Sequence, residues 1–149
     1  MILLAKPIRL LRMPAAERDL LFRAAVLVWG IRLGLWVFSF NTVRHILEKF
    51  QTARLYSRDW QHLKAQRIIW AVVTASRYIP KATCLTQALA GQVLLARYGY
   101  ESDLHLGVQN DAGGTLGAHA WLEREGQVVI GGLGLSGFTP LTVFGSGSP

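Results

Sequence analysis

The chain has 149 residues, of which 51% are hydrophobic and only 17% are charged. This length allows one compact domain with a real core but not two large ones, and the apolar composition excludes a disordered protein. A single cysteine excludes an intramolecular disulfide. The first residues lack the charged, apolar and small-residue series of a secretory signal, so we expect a cytoplasmic protein.

The formal net charge of +7 is divided unevenly along the chain. Residues 1–81 hold fourteen Lys and Arg against four acids, whereas residues 82–149 hold two against five. A basic half of this kind usually faces an acidic partner, a membrane surface or nucleic acid. No recognisable nucleic-acid motif accompanies it. We therefore expect a protein or peptide partner and no nucleic acid.

The first predicted helix covers about residues 14–40. Pro14 suits its first position, and Glu17 follows in the first turn, where an acid interacts favourably with the helix dipole. The apolar part, residues 24–40, is a little short for a membrane span. Arg32 in its middle would cost about 2.5–3.5 kcal/mol on insertion. A buried or partner-docking helix is expected rather than membrane association, and a membrane span remains the minority alternative.

Two further helices are predicted before Pro80. Asn41 can cap a short helix that continues to Phe50, and Asp59 can cap a third helix that Pro80 ends. The organisation of the chain changes at this proline. We expect residues 1–80 to be a helical, basic region that docks the partner.

The region after Pro80 begins with one more predicted helix. Thr83 is a good N-cap, residues 84–98 are helical by composition, and Gly99 is placed as the left-handed residue that ends the helix. A helix here, followed by strands, predicts an α+β fold.

Three strands are predicted after this helix, at residues 103–108, 118–123 and 128–130. The last two form a hairpin around Glu125 and Gly126. The predicted antiparallel sheet belongs to a core domain over residues 81–144, and residues 145–149 are expected to be a disordered tail.

Cys84 and His119 are the candidate nucleophile and base. If Thr83 is the cap, Cys84 is the first residue of its helix, where backbone N–H groups and the helix dipole stabilise a thiolate. A free cysteine taken alone is more often a buried structural residue. His119 begins a strand thirty-five residues later. A cysteine at a helix N-terminus facing a histidine on a neighbouring strand is the arrangement that activates sulfur.

These residues carry a resemblance to a known family. His119-Ala120-Trp121-Leu122-Glu123 resembles the His-Ala-Trp-x-Glu segment of transglutaminase-like cysteine proteases. The segments at residues 83–85, 88–90, 94–99 and 104–108 resemble the leader peptidases of lasso-peptide biosynthesis. The resemblance covers about residues 80–145. It implies a papain/transglutaminase-like core, in which the helix that begins with the cysteine packs on a small antiparallel sheet, preceded by a helical N-terminal extension.

The resemblance also implies a reaction and its partners. The reaction is hydrolysis of the peptide bond between the leader and the core of a ribosomally synthesised, post-translationally modified peptide. A small leader-recognition protein, a RiPP recognition element, would present the precursor, and an ATP-dependent lasso cyclase would take the core. No cofactor is implied. A transglutaminase-like acyl transferase and a non-catalytic interaction protein with an inert cysteine remain open as alternatives.

The carboxylate that would orient His119 is not obvious in the sequence. The broader superfamily places an Asp on the strand after the histidine, whereas this chain has no Asp or Asn beyond His119. Asp103 opens the preceding strand, and the lasso peptidases carry their Asp between the Cys and the His. We therefore expect Asp103 to hold the imidazole tautomer, with Asp111 in the Gly-rich loop as the weaker candidate.

Three more residues are candidates for the substrate cleft. His105 alternates with Asp103 on one strand face, Trp121 can wall the cleft, and Gln87 can add an oxyanion donor to the backbone N–H of Cys84. A structural histidine and a core tryptophan explain the first two equally well. A metal site is a competing reading, but structural zinc prefers paired cysteines at short spacing, so no metal is expected. Its ligands would be Cys84, His105, His119 and Asp103.

Overall fold

The computed structural model describes residues 11–52, 64–79, 83–110, 114, 116–132 and 139–145. The helices among them are α1 (Ala15–Val37), α2 (Phe40–Thr52), α3 (Ala65–Tyr78) and α4 (Cys84–Arg97). The strands are β1 (Asp103–Asn110), β2 (Leu116–Arg124), β3 (Gln127–Ile130) and β4 (Thr139–Gly145). The predicted α+β fold class is confirmed, with α4 packed on a small antiparallel sheet.

The sheet has the strand order β3-β2-β1-β4, and all neighbouring strands are antiparallel. The predicted hairpin of β2 and β3 is confirmed: Glu125 and Gly126 both have positive φ, which matches the twist of a two-residue hairpin turn. The sequence did not reveal β4. It contains Pro140, which cannot donate to a ladder and is tolerated because β4 is an edge strand.

The ends of the N-terminal helices differ in detail from the sequence-based expectation. Pro14 is the N-cap of α1 rather than its first helical residue. The predicted cap role of Asn41 is wrong, because α2 already begins at Phe40 and the hydroxyl of Ser39 accepts from the backbone N–H of Thr42 at 3.4 Å. The predicted cap Asp59 lies outside the described residues, as do Pro80 and residues 146–149 of the predicted tail.

The ends of α4 follow the prediction closely. Thr83 is the N-cap and Gly99 has φ +86°. The N–H of Tyr100 donates to the carbonyl of Leu95 at 2.9 Å, which completes a Schellman-type ending. Local chemistry therefore fixes both ends of the helix that carries Cys84.

One hydrophobic core joins the helices to the sheet. The helix α1 packs against α3 and α4, and α4 packs against the other three helices and against β2. The largest fully buried side chains come from both halves of the chain, among them Leu20, Ile68, Leu89, Leu104 and Leu122. The boundary predicted at residue 80 therefore separates two parts of one core.

Candidate active site

Cys84 is the first residue of α4, and its side chain is half-buried. The helix start is held by Thr83, whose hydroxyl oxygen accepts from the backbone N–H of Thr86 at 3.3 Å. The sulfur therefore sits where the first backbone N–H groups of a helix and its positive dipole end favour negative charge. Gln87 lies three residues after Cys84, on the same side of the helix. Its side chain is half-buried, and its use as an oxyanion donor stays a prediction.

The contacts of α4 show how it lies along β2. Gly91 is packed so closely on the sheet that a Cβ there would be 3.0 Å from Leu122 Cδ2. Beyond the end of α4, the ring of Tyr100 lies 4.9 Å from the guanidinium carbon of Arg124, two residues further along β2. The helix and β2 thus run in the same sense. Cys84 at the start of α4 therefore lies toward the half of β2 that carries His119.

His119 is held by the backbone. It lies on β2 opposite Gly107 of β1, and its Nε2 is 2.8 Å from the carbonyl oxygen of Gly131. A carbonyl oxygen can only accept, so Nε2 must carry the proton and donate it. In the neutral imidazole, Nδ1 is then the nitrogen that can accept a proton. With the proton on Nε2, the lone pair of Nδ1 is available, and His119 can act as a general base through this atom.

Gly131 is a functional candidate that the sequence-based reasoning missed. Its φ is +80°, and a Cβ there would lie 2.8 Å from the carbonyl oxygen of Ala120. A glycine is therefore needed for the chain to pass this close to β2 and present its carbonyl to His119. Glycine directly after a strand often marks such a close backbone approach, and this was the available indication in the sequence.

An aromatic stack extends from His119 along the same face of the sheet. The ring centroid of Trp121 lies 6.2 Å from that of His119 and 5.4 Å from that of His105, and both pairs are stacked. The indole N–H of Trp121 donates to Glu123 Oε1 at 3.1 Å. Glu123 Oε2 lies 3.2 Å from His105 Nε2, close enough for an ion pair when His105 is protonated, although the geometry is not that of a hydrogen bond.

Trp121 is buried on the same face as His119. Its two neighbours in sequence, Ala120 and Leu122, belong to the hydrophobic core on the other face of the sheet. Successive side chains of a strand point to opposite faces, so His119 does not share the face of β2 on which Leu122 meets α4. The described contacts thus bring His105, His119 and Trp121 together. Direct pairing of Cys84 with His119 stays a prediction.

The predicted orienting carboxylate is not brought to His119. Asp103 pairs with Glu123 in the sheet, four residues along β1 from Gly107, which is the residue opposite His119. Four residues of strand separate their backbones by about 13 Å, beyond the reach of an Asp side chain. Asp103 is also exposed. Asp111, the weaker candidate, lies outside the described residues. Gly131, in contrast, makes a direct hydrogen bond to the imidazole.

The candidate metal ligands Cys84, Asp103, His105 and His119 lie on three different elements, α4, β1 and β2. In the described part of the chain, no group of three or more His, Cys, Asp and Glu residues is clustered as metal ligands would be. The separation of Asp103 from His119 removes one member of the set considered from sequence. The contacts of His105 and His119 are instead the aromatic and hydrogen-bonded ones described above.

Comparison with known proteins identifies the family. The family model of the transglutaminase-like superfamily matches residues 25–143, which include α2, α3, α4, the strands β1 to β3 and most of β4. No curated protein and no solved structure gives a significant match. Because the match covers well over half of the chain, the protein belongs to the transglutaminase-like superfamily, many of whose members are cysteine-dependent enzymes.

Proposed function

We propose that this member of the transglutaminase-like superfamily is a cysteine endopeptidase that removes the leader from a lasso-peptide precursor. The observation that carries the proposal is the position of Cys84, at the capped first residue of a helix that lies along the strand of His119. The sequence segments around these two residues resemble the lasso-peptide leader peptidases. The superfamily match supports cysteine chemistry in general, and the leader-peptidase activity is the finer proposal.

The proposed reaction has two steps. In the first, the Cys84 thiolate attacks the carbonyl carbon of the scissile peptide bond, and the negative charge moves to the carbonyl oxygen. The backbone N–H of Cys84, with Gln87 as a second donor, stabilises this oxyanion. The C–N bond then breaks, and the His119 imidazolium donates its proton to the leaving amine. A thioester between Cys84 and the leader remains.

In the second step, water attacks the thioester while His119 accepts a proton from it. The C–S bond breaks, which releases the leader as a carboxylic acid and restores the thiolate and the imidazolium. The Gly131 carbonyl holds Nε2–H throughout, a part that an Asp or Asn side chain plays in related mechanisms. If an amine replaced water in this step, the same thioester would give acyl transfer, the transglutaminase-like alternative.

We further propose that the enzyme acts in the cytoplasm on a precursor presented by a small RiPP recognition element, and that the ATP-dependent lasso cyclase takes the released core. The excess of basic residues in the first half of the chain supports an acidic polypeptide partner. No cofactor enters any proposed step, because the thiolate, the imidazole and water supply all the groups that react.

Mass spectrometry of the precursor peptide encoded beside this gene tests the proposal. The precursor is incubated with the recognition protein and with either the native chain or Cys84→Ala. A single cut between leader and core is expected with the native chain and not with Cys84→Ala. His119→Ala is expected to slow cleavage by about 10²–10⁴-fold, the usual contribution of a general acid and base.

Asp103→Asn is the matched control, because the strand register keeps Asp103 away from His119. Its cleavage rate is expected to stay within about threefold of the native rate, a much smaller change than the loss of a catalytic group causes. Circular dichroism would establish that all three variants are folded. An intact precursor with the native chain, together with a Cys84 thiol that does not react with iodoacetamide, would favour the non-catalytic interaction protein. A loss of activity in Asp103→Asn would restore the orienting role predicted from sequence.

A further inference from the structure

The outer side of α1 carries an apolar stripe that is open to solvent. It consists of Phe22, Val26, Trp29, Leu33 and Trp36, which are between 46% and 78% exposed. Their spacing alternates between four and three residues, the spacing of the a and d positions in a helix that pairs with another helix. The stripe is therefore one continuous seam on a single side of α1.

The inner side of α1 is apolar too. Leu20, Ala24, Val28 and Ile31 are buried in the core. An apolar side of a helix is normally covered, by protein or by lipid, and α1 has two such sides. Contiguous exposed apolar surface on a folded domain usually marks an interaction site. Among the residues that the structure describes, none covers the outer stripe of α1.

A cavity lies beside the stripe. It has a volume of about 580 Å³ and is enclosed by α1, α2 and the end of α4. Val26 belongs both to the stripe and to the cavity wall, so the two surfaces are continuous. Gly30 forms part of this wall, and a Cβ there would meet no atom within 4 Å. The volume falls within the range of pockets that take compact organic groups, and apolar side chains of a second polypeptide fit it.

The charged groups around this surface are predominantly basic. Arg23 and Arg97 line the cavity, and Arg32 projects from α1 on the other flank of the stripe. The two acids of α1 are engaged: Asp19 forms an ion pair with Arg23 at 3.0 Å, and Glu17 with Arg67 of α3. Asp19 offsets the charge of Arg23, so Arg32 and Arg97 make the flanks net positive. Such flanks favour an occupant that carries carboxylates beside its apolar side chains.

Two other occupants fit these observations less well. A second copy of this chain would set the same arginines against one another, and like charges along a helix pair oppose association. A membrane is the other candidate, because α1 is long and apolar enough to span one. Spanning would pull Ala24 and Val28 out of the core, and a flat lipid surface does not fill a cavity.

We propose that the stripe and the cavity together form a docking surface for an amphipathic helix of another polypeptide. This helix presents apolar side chains at heptad spacing and acidic residues on its flanks. One of its apolar side chains enters the cavity between α1 and α2. The docking does not require Cys84 to be a nucleophile, so it can be tested separately from the proposed peptidase activity.

Fluorescence anisotropy with two synthetic helical peptides tests this surface. Both peptides carry Leu at the a and d positions; one has Glu and the other Lys at the flanking positions. The full chain is expected to bind the Glu peptide, with an affinity that falls as salt is added, and to bind the Lys peptide at least tenfold more weakly. These differences correspond to a few exposed charge pairs at about two- to fivefold each.

Gly30→Leu is the decisive variant, because Gly30 lines the cavity and the Cβ of the new side chain would meet no atom within 4 Å. Leu is also a better helix former than Gly, so the fold is retained. The variant is expected to bind the Glu peptide about tenfold more weakly, as for a lost buried apolar contact. Gln66→Leu on the exposed side of α3 adds the same side chain elsewhere and should bind like the native chain. Cys84→Ala should also bind normally, whether or not it cleaves a precursor.

Four outcomes would overturn the proposal. The first is equal binding of the two peptides, or binding that Gly30→Leu leaves unchanged. The second is no binding of either peptide at a protein concentration of about 100 μM, which is far above the dissociation constants of specific interfaces. The third is a dimer in sedimentation equilibrium that Trp36→Glu dissociates, which would assign the stripe to a second copy. The fourth is retention on vesicles of phosphatidylcholine and phosphatidylglycerol without binding of the Glu peptide, which would assign it to a membrane.

Discussion

The close packing of α4 on the sheet predicts opposite effects for the same substitution at two helical glycines. At Gly91, a Cβ would lie 2.5 Å from Ile130 Cδ1 and 3.0 Å from Leu122 Cδ2, and both neighbours are buried. At Gly30 in α1, a Cβ would meet nothing within 4 Å. Gly91→Ala must therefore shift the ends of these two buried side chains, whereas Gly30→Ala displaces nothing.

The magnitudes follow from two terms. Replacing Gly by Ala within a helix stabilises it by about 0.5–1 kcal/mol, and this term is common to both variants. Overpacking a well-filled core costs about 1–3 kcal/mol, and this term applies to Gly91 alone. Gly30→Ala should raise the free energy of unfolding by about 0.5–1 kcal/mol. Gly91→Ala should lie about 1–3 kcal/mol below it.

Urea denaturation, followed by circular dichroism, measures both variants against the native chain. Ile130→Val removes the Cδ1 atom that the new methyl group would strike. It should destabilise the native chain by about 0.5–1.5 kcal/mol, yet stabilise Gly91→Ala. That reversal of sign is specific to a steric contact between the two side chains. Equal free energies of unfolding for Gly91→Ala and Gly30→Ala would refute the packing of α4 on β2 described above.

Two further predictions concern the ends of α4. Thr83→Ala removes the cap of the Cys84 helix and should lower the free energy of unfolding in urea by about 1 kcal/mol, whereas Thr83→Ser, which keeps the hydroxyl, should lower it by less than half of that. Burial raises the pKa of Tyr98 above its ordinary value, against the opposing effect of the Arg23 guanidinium. A raised folded-state pKa means that its contribution to stability is complete below about pH 10, the unfolded value, and is lost as the pH rises through the folded value. Stability should therefore fall above about pH 10 more steeply in the native chain than in Tyr98→Phe.

The elements around Cys84 were predictable because short-range chemistry determines them. A hydroxyl at Thr83 satisfies a backbone donor at the helix start, and Gly99 adopts the left-handed conformation at its end. The alternation of β1 and β2 and the turn at Glu125 and Gly126 are local in the same sense. The helix starts that were misplaced show the limit of such rules: Ser39 and Asn41 are both good caps, and the sequence does not decide between them.

The strand β4 was missed because its sequence is a poor strand signal on its own. It becomes a strand by pairing with β1 at the edge of the sheet, where a proline is tolerated. Similarly, the sequence marked the apolar segment of α1 without showing that one side is core and the other is open. Both properties depend on which elements become neighbours.

The sequence by itself determined the family, the fold class and the two residues on which the proposed chemistry rests, because these follow from motifs and from local hydrogen bonding. The tertiary structure alone decided what surrounds His119. The register of β1 and β2 separates Asp103 from it, and the positive φ of Gly131 brings a backbone carbonyl to its Nε2. Register and close backbone approach are set by packing between segments distant in sequence. The position of Gly131 after a strand could indicate a close approach, but it could not show that its carbonyl, and not the Asp103 carboxylate, meets His119.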